Sequence, residues 1–220
     1  MWAALGHILP IAVAGAVSSV PIMAVILLLL SPNKSRSPLA FLIGYVLGLV
    51  AILALFTALA YVLPVSRRQT DAAVGTALVV VGVAMIVIAI IAWRRRASAP
   101  ADQMPKWLLT VGSMRAMSAF GFAAVLNVRP KALLLSAAAG LSLRADPLTG
   151  GELAFVIAAY TVVTASSVAA PVIASLVAPG STEKQLVRAR VWIATNSGII
   201  SVVIMLMIGV VIVGSGLTRF

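Results

Sequence analysis

The stretch AAVLNVRPKALLLSAAAG, residues 123–140, places Asn127, Arg129, Pro130 and Lys131 inside an apolar segment long enough to cross a membrane. Each cation costs roughly 2.5 to 3.5 kcal/mol at the centre of a spanning helix, so such residues persist only where they reach an interface or face a protein-lined cavity. Pro130 removes a backbone donor and its ring crowds the preceding turn, which breaks or kinks a helix and frees carbonyls that need partners. Two readings follow. In one, Arg129 and Lys131 end a helix and snorkel to phospholipid headgroups; in the other, they form a cationic break inside the membrane. The 32 residues from Gly112 to Leu143 exceed the roughly 20 that suffice to span, which leaves room for both.

Around this stretch the chain is just as apolar. With 62% hydrophobic and 10% charged residues, its 220 residues describe one integral membrane bundle, 1–220, with no soluble domain. There is no cysteine, hence no disulfide framework and no thiolate ligand or nucleophile. The formal charge of +11 would point to nucleic acid in a soluble protein. Here the cations cluster in short loops, where they act as topology signals and lipid contacts, so no nucleic-acid partner is expected. Paired intramembrane carboxylates, a nucleophile elbow, zinc-ligand spacing and a phosphate loop are all missing from the sequence, and neither an enzyme nor a cofactor or metal site is expected.

Six apolar segments, at roughly 3–30, 39–63, 72–93, 113–143, 152–177 and 191–214, each match the length of a spanning helix. The loops after segments 1, 3 and 5 carry ten Lys and Arg residues, among them Lys34, Arg36, Lys184, Arg188 and Arg190; the opposite loops and termini carry four. The positive-inside rule then puts the ten in the cytoplasm and both termini outside, in the plasma membrane. The chain divides into repeat A, about 1–96, and repeat B, about 112–220, with a basic cytoplasmic loop, 94–115, between them. Leu39-Ala-Phe-Leu-Ile and Leu153-Ala-Phe-Val-Ile open the second segment of each half, and the interruption Ser18–Ile22 (SSVPI) in segment 1 corresponds to NVRPK in segment 4. Three helices per half make the repeat inverted, and paired interrupted helices point to a transporter's midplane site. The expected architecture is therefore an all-α, six-helix inverted 3+3 bundle with interrupted helices 1 and 4.

Candidate binding residues are those at the interruptions: Ser18, Ser19 and Pro21 in segment 1, and Asn127, Arg129, Pro130 and Lys131 in segment 4. The serine hydroxyls can hold a ligand or satisfy carbonyls that the proline frees. Asn196, between Thr195 and Ser197, is the third polar spot, with interhelical hydrogen bonding as its structural alternative. Gly44 and Gly48 present a small face for close helix packing. For proton or ion coupling the candidates are Asp71 and Glu152, at the outer starts of segments 3 and 5, and His7, the single histidine. Both acids are equally explained as helix-start residues favoured by the dipole.

SSVPI with its following leucine run, LAFLIGYVLGL (Leu39–Leu49) and NVRPKALLL (Asn127–Leu135) together resemble the lysine-exporter superfamily. Within it, the chain is similar to the actinobacterial sulfolipid- and peptidoglycolipid-addressing (Sap/GAP) proteins. In the wider superfamily the helix 4 motif reads Asn-Pro-Lys, whereas here Val128 and Arg129 intervene. The resemblance implies export of a cell-envelope lipid or glycolipid across the plasma membrane, or assistance to it. Cations at the helix 4 break fit an anionic headgroup better than a cationic amino acid. Expected partners are membrane lipids, an anionic lipid or glycolipid substrate, envelope-lipid synthesis or export proteins, and a further copy of the chain. The alternatives are a non-transporting accessory protein of a lipid export complex and a small-metabolite exporter.

Overall fold

The computed structural model of the protein describes residues 2–31, 36–62, 67–97, 110–145 and 148–218. Helices α1 (Trp2–Ala16) and α2 (Ser19–Leu29) meet at a bend of 49°. Helices α3 (Ser37–Val62) and α4 (Arg67–Ala97) follow. Helix α5 (Ala116–Val125) passes through a 3-10 turn, Leu126–Val128, and meets α6 (Pro130–Ala145) at 65°. Helices α7 (Gly150–Val177) and α8 (Pro179–Leu217) complete the all-helical chain. Four stretches are long and apolar enough to cross a membrane, Ser37–Val62, Ala73–Arg94, Gly150–Val177 and Gly198–Leu217; counting each bent pair as one span gives up to six among the described residues.

Both breaks have a local cause. Pro21 has no N–H to offer the carbonyl of Val17, four residues back, and its ring crowds that position. The helix accordingly stops at Ala16, Ser18 is extended (φ −113°, ψ 108°), and Pro21 falls in the first turn of α2, where no intrahelical N–H is required of it. At the other break, Arg129 adopts φ −70° and ψ 149°, the extended region imposed on a residue before proline, and Pro130 becomes the first residue of α6.

Glycines set the helix spacing. A methyl group added to Gly82 would lie 2.8 Å from the Gly209 carbonyl, and one on Gly216 would lie 2.7 Å from the Gly75 carbonyl, so α4 and α8 pack nearly backbone to backbone. Gly44 and Gly48 do the same for α3 against Phe120 and Ala124 of α5, as their spacing leads one to expect. Gly140 of α6 approaches Phe56 and Thr57 of α3. Side chains of lipid are as apolar as leucine, so this van der Waals closeness, more than hydrophobicity, drives association of the helices.

Among the described residues the interior comprises a small apolar cluster, Met23 and Leu27 with Ile193, and two large ones. One joins Ile8 and Ala12 of α1, Leu78 and Met85 of α4, and Leu135, Tyr160 and Ile208. The other surrounds α2, whose residues Met23 to Leu29 are all buried, with Phe41, Tyr45, Val168, Val172 and Leu186. Two sequence expectations need correction. The basic stretch with Lys184, Arg188 and Arg190, expected as a loop, is helical, because Thr182 and Leu186 are buried on one face with Ala189 and Ile193 packed beside them, while Lys184 and Arg188 are exposed and Arg190 is half-buried. Helix α4 likewise extends beyond 72–93 at both ends, so the basic stretch 94–115 begins within it, and residues 98–109 lie outside the described residues, as does Lys34.

Candidate functional site: a cationic cleft between two broken helices

Lys131 Nζ donates to the Val17 carbonyl at 3.2 Å. The carbonyl that Pro21 leaves unpaired at the first break is thus capped by the cation that follows Pro130 at the second. Arg129 does the equivalent job locally, its Nε donating to the Leu126 carbonyl at 2.8 Å and closing the 3-10 turn. Each cation therefore covers a carbonyl at one of the two helix ends. Asn127, only 2% exposed, holds the second break to α3. Its Nδ2 donates to the carbonyls of Tyr45 and Ala123 at 3.2 Å and of Ala124 at 3.4 Å.

A narrow cleft lies between the two breaks and between the two apolar clusters. Ser18, Asn127, Arg129 and Lys131 line it together with Tyr45, Ser136, Tyr160 and Thr164. The last four, on α3, α6 and α7, are functional candidates that motif reading misses, since single hydroxyls in apolar helices carry no spacing signature. The Tyr160 hydroxyl lies beside the side chains of Ser136 and Thr164, and Thr164 Oγ1 donates to the Ala12 carbonyl at 3.3 Å. The Tyr45 phenol lies within electrostatic range of Arg129 and of Tyr160. Among the described residues no carboxylate lines the cleft.

Its cavity volume is only about 20 Å³, little more than the roughly 10–15 Å³ that a single water requires. A tetrahedral oxyanion needs the two breaks to separate first. Four half-helix ends converge here, two carboxyl-terminal and two amino-terminal, and their partial charges of about half a unit each cancel in pairs. Two positive charges therefore remain without an acidic counterpart among the described residues of the lining.

The other candidates are dispersed. Ser19 and Pro21 stand on the first turn of α2, beside the cleft but outside its lining. Asn196 is on the exposed face of α8, where its Nδ2 donates to the Trp192 carbonyl of its own helix at 2.9 Å. Glu152 forms a capping box with Thr149 at the start of α7, which accounts for it as a helix-start residue. His7 is an exposed residue of α1 and Asp71 is in α4, its side chain outside the described residues. Among the described residues no cluster of His, Cys, Asp or Glu suits a metal ion.

Bent, discontinuous helices around a charged cleft, in a bundle of four to six apolar spans, define a multi-pass helical membrane protein with a buried polar site. The family model described as Sap, sulfolipid-1-addressing protein, matches residues 8–218, nearly the whole chain. The protein belongs to this family. No curated protein and no solved structure matches it.

Proposed function

We propose that the protein moves an anionic cell-envelope lipid, bearing sulfate or phosphate on its headgroup, across the plasma membrane. The observation that carries this reading is the pair of cations in a cleft that no carboxylate lines among the described residues: cations within an apolar bundle need an anion, and a bound headgroup would supply it. The family description, a sulfolipid-addressing protein, supports the same class of ligand. The headgroup would occupy the cleft while the acyl tails remain in the bilayer. No nucleotide-binding motif is present in the sequence, so a gradient or a partner protein would drive the cycle.

An inverted repeat of the lysine-exporter kind is part of this proposal. It is supported by the order of elements, since each half begins with a bent pair, α1/α2 and α5/α6, followed by two long helices. It is also supported by the packing, in which α3 lies on α5 and α6 while α7 lies on α1 and α2. Both termini would be outside. With no native cysteine, a cysteine introduced at Ser98 is expected to react only with reagent delivered to the cytoplasmic side; labelling from outside alone would reverse the orientation.

The direct test is reconstitution of the purified protein in phosphatidylcholine liposomes with a labelled sulfated glycolipid on one leaflet. Exchange between leaflets should exceed that of protein-free liposomes and that of the desulfated lipid. Exchange at the background rate, with intact binding to an envelope-lipid synthase or exporter, would instead establish the accessory role.

A further inference from the structure

We infer that the Tyr45 hydroxyl is a third donor of the headgroup site, acting beside Arg129 and Lys131 on the same anionic group. The inference rests on the anion reading of the cleft and adds to it a residue that carries no charge. Tyr45 is 4% exposed and lines the cleft, yet its hydroxyl has no hydrogen-bond partner among the described residues. Buried tyrosine hydroxyls nearly always find one. The other tyrosine of the cleft, Tyr160, differs in having the hydroxyl-bearing side chains of Ser136 and Thr164 beside its own hydroxyl.

The position of the Tyr45 ring is fixed independently of any ligand. Asn127 Nδ2 holds its backbone carbonyl at 3.2 Å. Phe41, one turn earlier on α3, stacks on the ring with centroids 6.4 Å apart and planes 5° from parallel. The neighbouring Gly44 lets α3 approach the Phe120 backbone closely, which sets how far the ring reaches inward. A side chain held this firmly, with its polar end unsatisfied beside a guanidinium, is preorganised for an acceptor that is not part of the chain. Both cations also offer only donors, so the missing group is acceptor-rich, as a sulfate or phosphate ester is. If the hydroxyl had no ligand, phenylalanine would fill the same space without a buried unpaired polar group.

The test uses the full-length protein in neutral detergent with three short-chain probes: a sulfated galactolipid, phosphatidic acid, and the unsulfated galactolipid as blank. Affinity and unliganded thermal stability are measured for the wild type and for the Tyr45→Phe, Tyr160→Phe and Lys131→Gln variants. Tyr45→Phe is expected to weaken binding of the preferred anionic probe about tenfold, the effect of one lost hydrogen bond to a charged group. Its unliganded melting temperature should be unchanged or higher. Tyr160→Phe, which takes that hydroxyl from beside Ser136 and Thr164, should lower the melting temperature. Wild-type affinity in Tyr45→Phe, with binding lost in Lys131→Gln, would remove Tyr45 from the site and leave the anion reading standing. A lowered melting temperature in unliganded Tyr45→Phe would likewise overturn the proposal, by showing that the hydroxyl has a structural partner. Failure of the folded wild-type protein to prefer either anionic probe over the blank would overturn the anion reading itself, and this inference with it.

Discussion

Replacing Lys131 by glutamine is expected to lower translocation of an anionic lipid by about ten- to a hundredfold, the loss of one charge-assisted contact, with insertion and folding intact. Insertion should not suffer, because a neutral side chain is cheaper than an ammonium group at membrane depth. Glutamine also keeps an N–H donor, on a stem one bond shorter, so part of the cap on Val17 survives. Lys131→Met separates the two roles. It removes the charge and leaves the Val17 carbonyl unpaired, which should destabilise the protein by roughly 1–3 kcal/mol in addition to stopping transport. Transport kinetics in liposomes and thermal unfolding in detergent, measured on both variants, check the pair. Full transport by Lys131→Gln would reduce the lysine to a helix cap. Arg129→Lys should fall between, since a point charge replaces the fork that now spans from the Leu126 carbonyl towards the cleft.

The second large effect is expected at Gly44. Its Cβ position coincides with the Phe120 carbonyl, which belongs to helix backbone and has no rotamer to retreat into. Gly44→Leu should force α3 and α5 apart, at the upper end of or beyond the roughly 1–3 kcal/mol typical of overpacking. The separation would also pull Tyr45 from Asn127 and so disorganise the cleft. Loss of folded protein on size-exclusion chromatography, and no transport from what remains, is the expected outcome. Gly121→Ala, on the same helix as Phe120 but with nothing within 4 Å of the added methyl, should be indistinguishable from wild type.

Much of the architecture was legible because membranes restrict what a chain can do. Backbone groups in hydrocarbon must be paired, so apolar runs of sufficient length read as helices, and a proline beside charge or hydroxyl marks where a run is interrupted. Pro21 and Pro130 gave both bends in this way, and the Gly44–Gly48 spacing gave the α3 packing face. The meeting of the two breaks through Lys131 and Val17 was within reach only through the repeat argument. Asn196 passed the same test of polarity as Asn127 and yet bonds to its own helix, because nothing in a single helix's sequence states which neighbour, if any, it faces. Tyr45 failed the opposite way. In a run such as GYVLGL a tyrosine reads as an apolar or interfacial ring, and only the position of α5 and α6 reveals that it lines a cleft with Arg129 and Lys131. The helical start of α8 was hidden for a third reason: charge density mimics a loop unless the partner of Leu186 is known.

The complete enclosure of Met23 to Leu29 bears on how the chain is made. Part of their cover is Val168 and Val172 of α7 and Leu186 of α8, segments synthesised long after them. Thr164, which holds the neighbouring α1, arrives 152 residues after Ala12, an interval of about 8–30 s at ribosomal rates of 5–20 residues per second. For that time the run MAVILLL would stand in lipid, with Val168, Val172 and Leu186 not yet in existence. Its unbroken hydrophobicity suits both settings, since acyl chains and a packed interior are nearly equivalent surroundings for leucine. A polar substitution tolerable in the finished interior would still have to survive the wait, so the newborn half-protein imposes its own selection on α2.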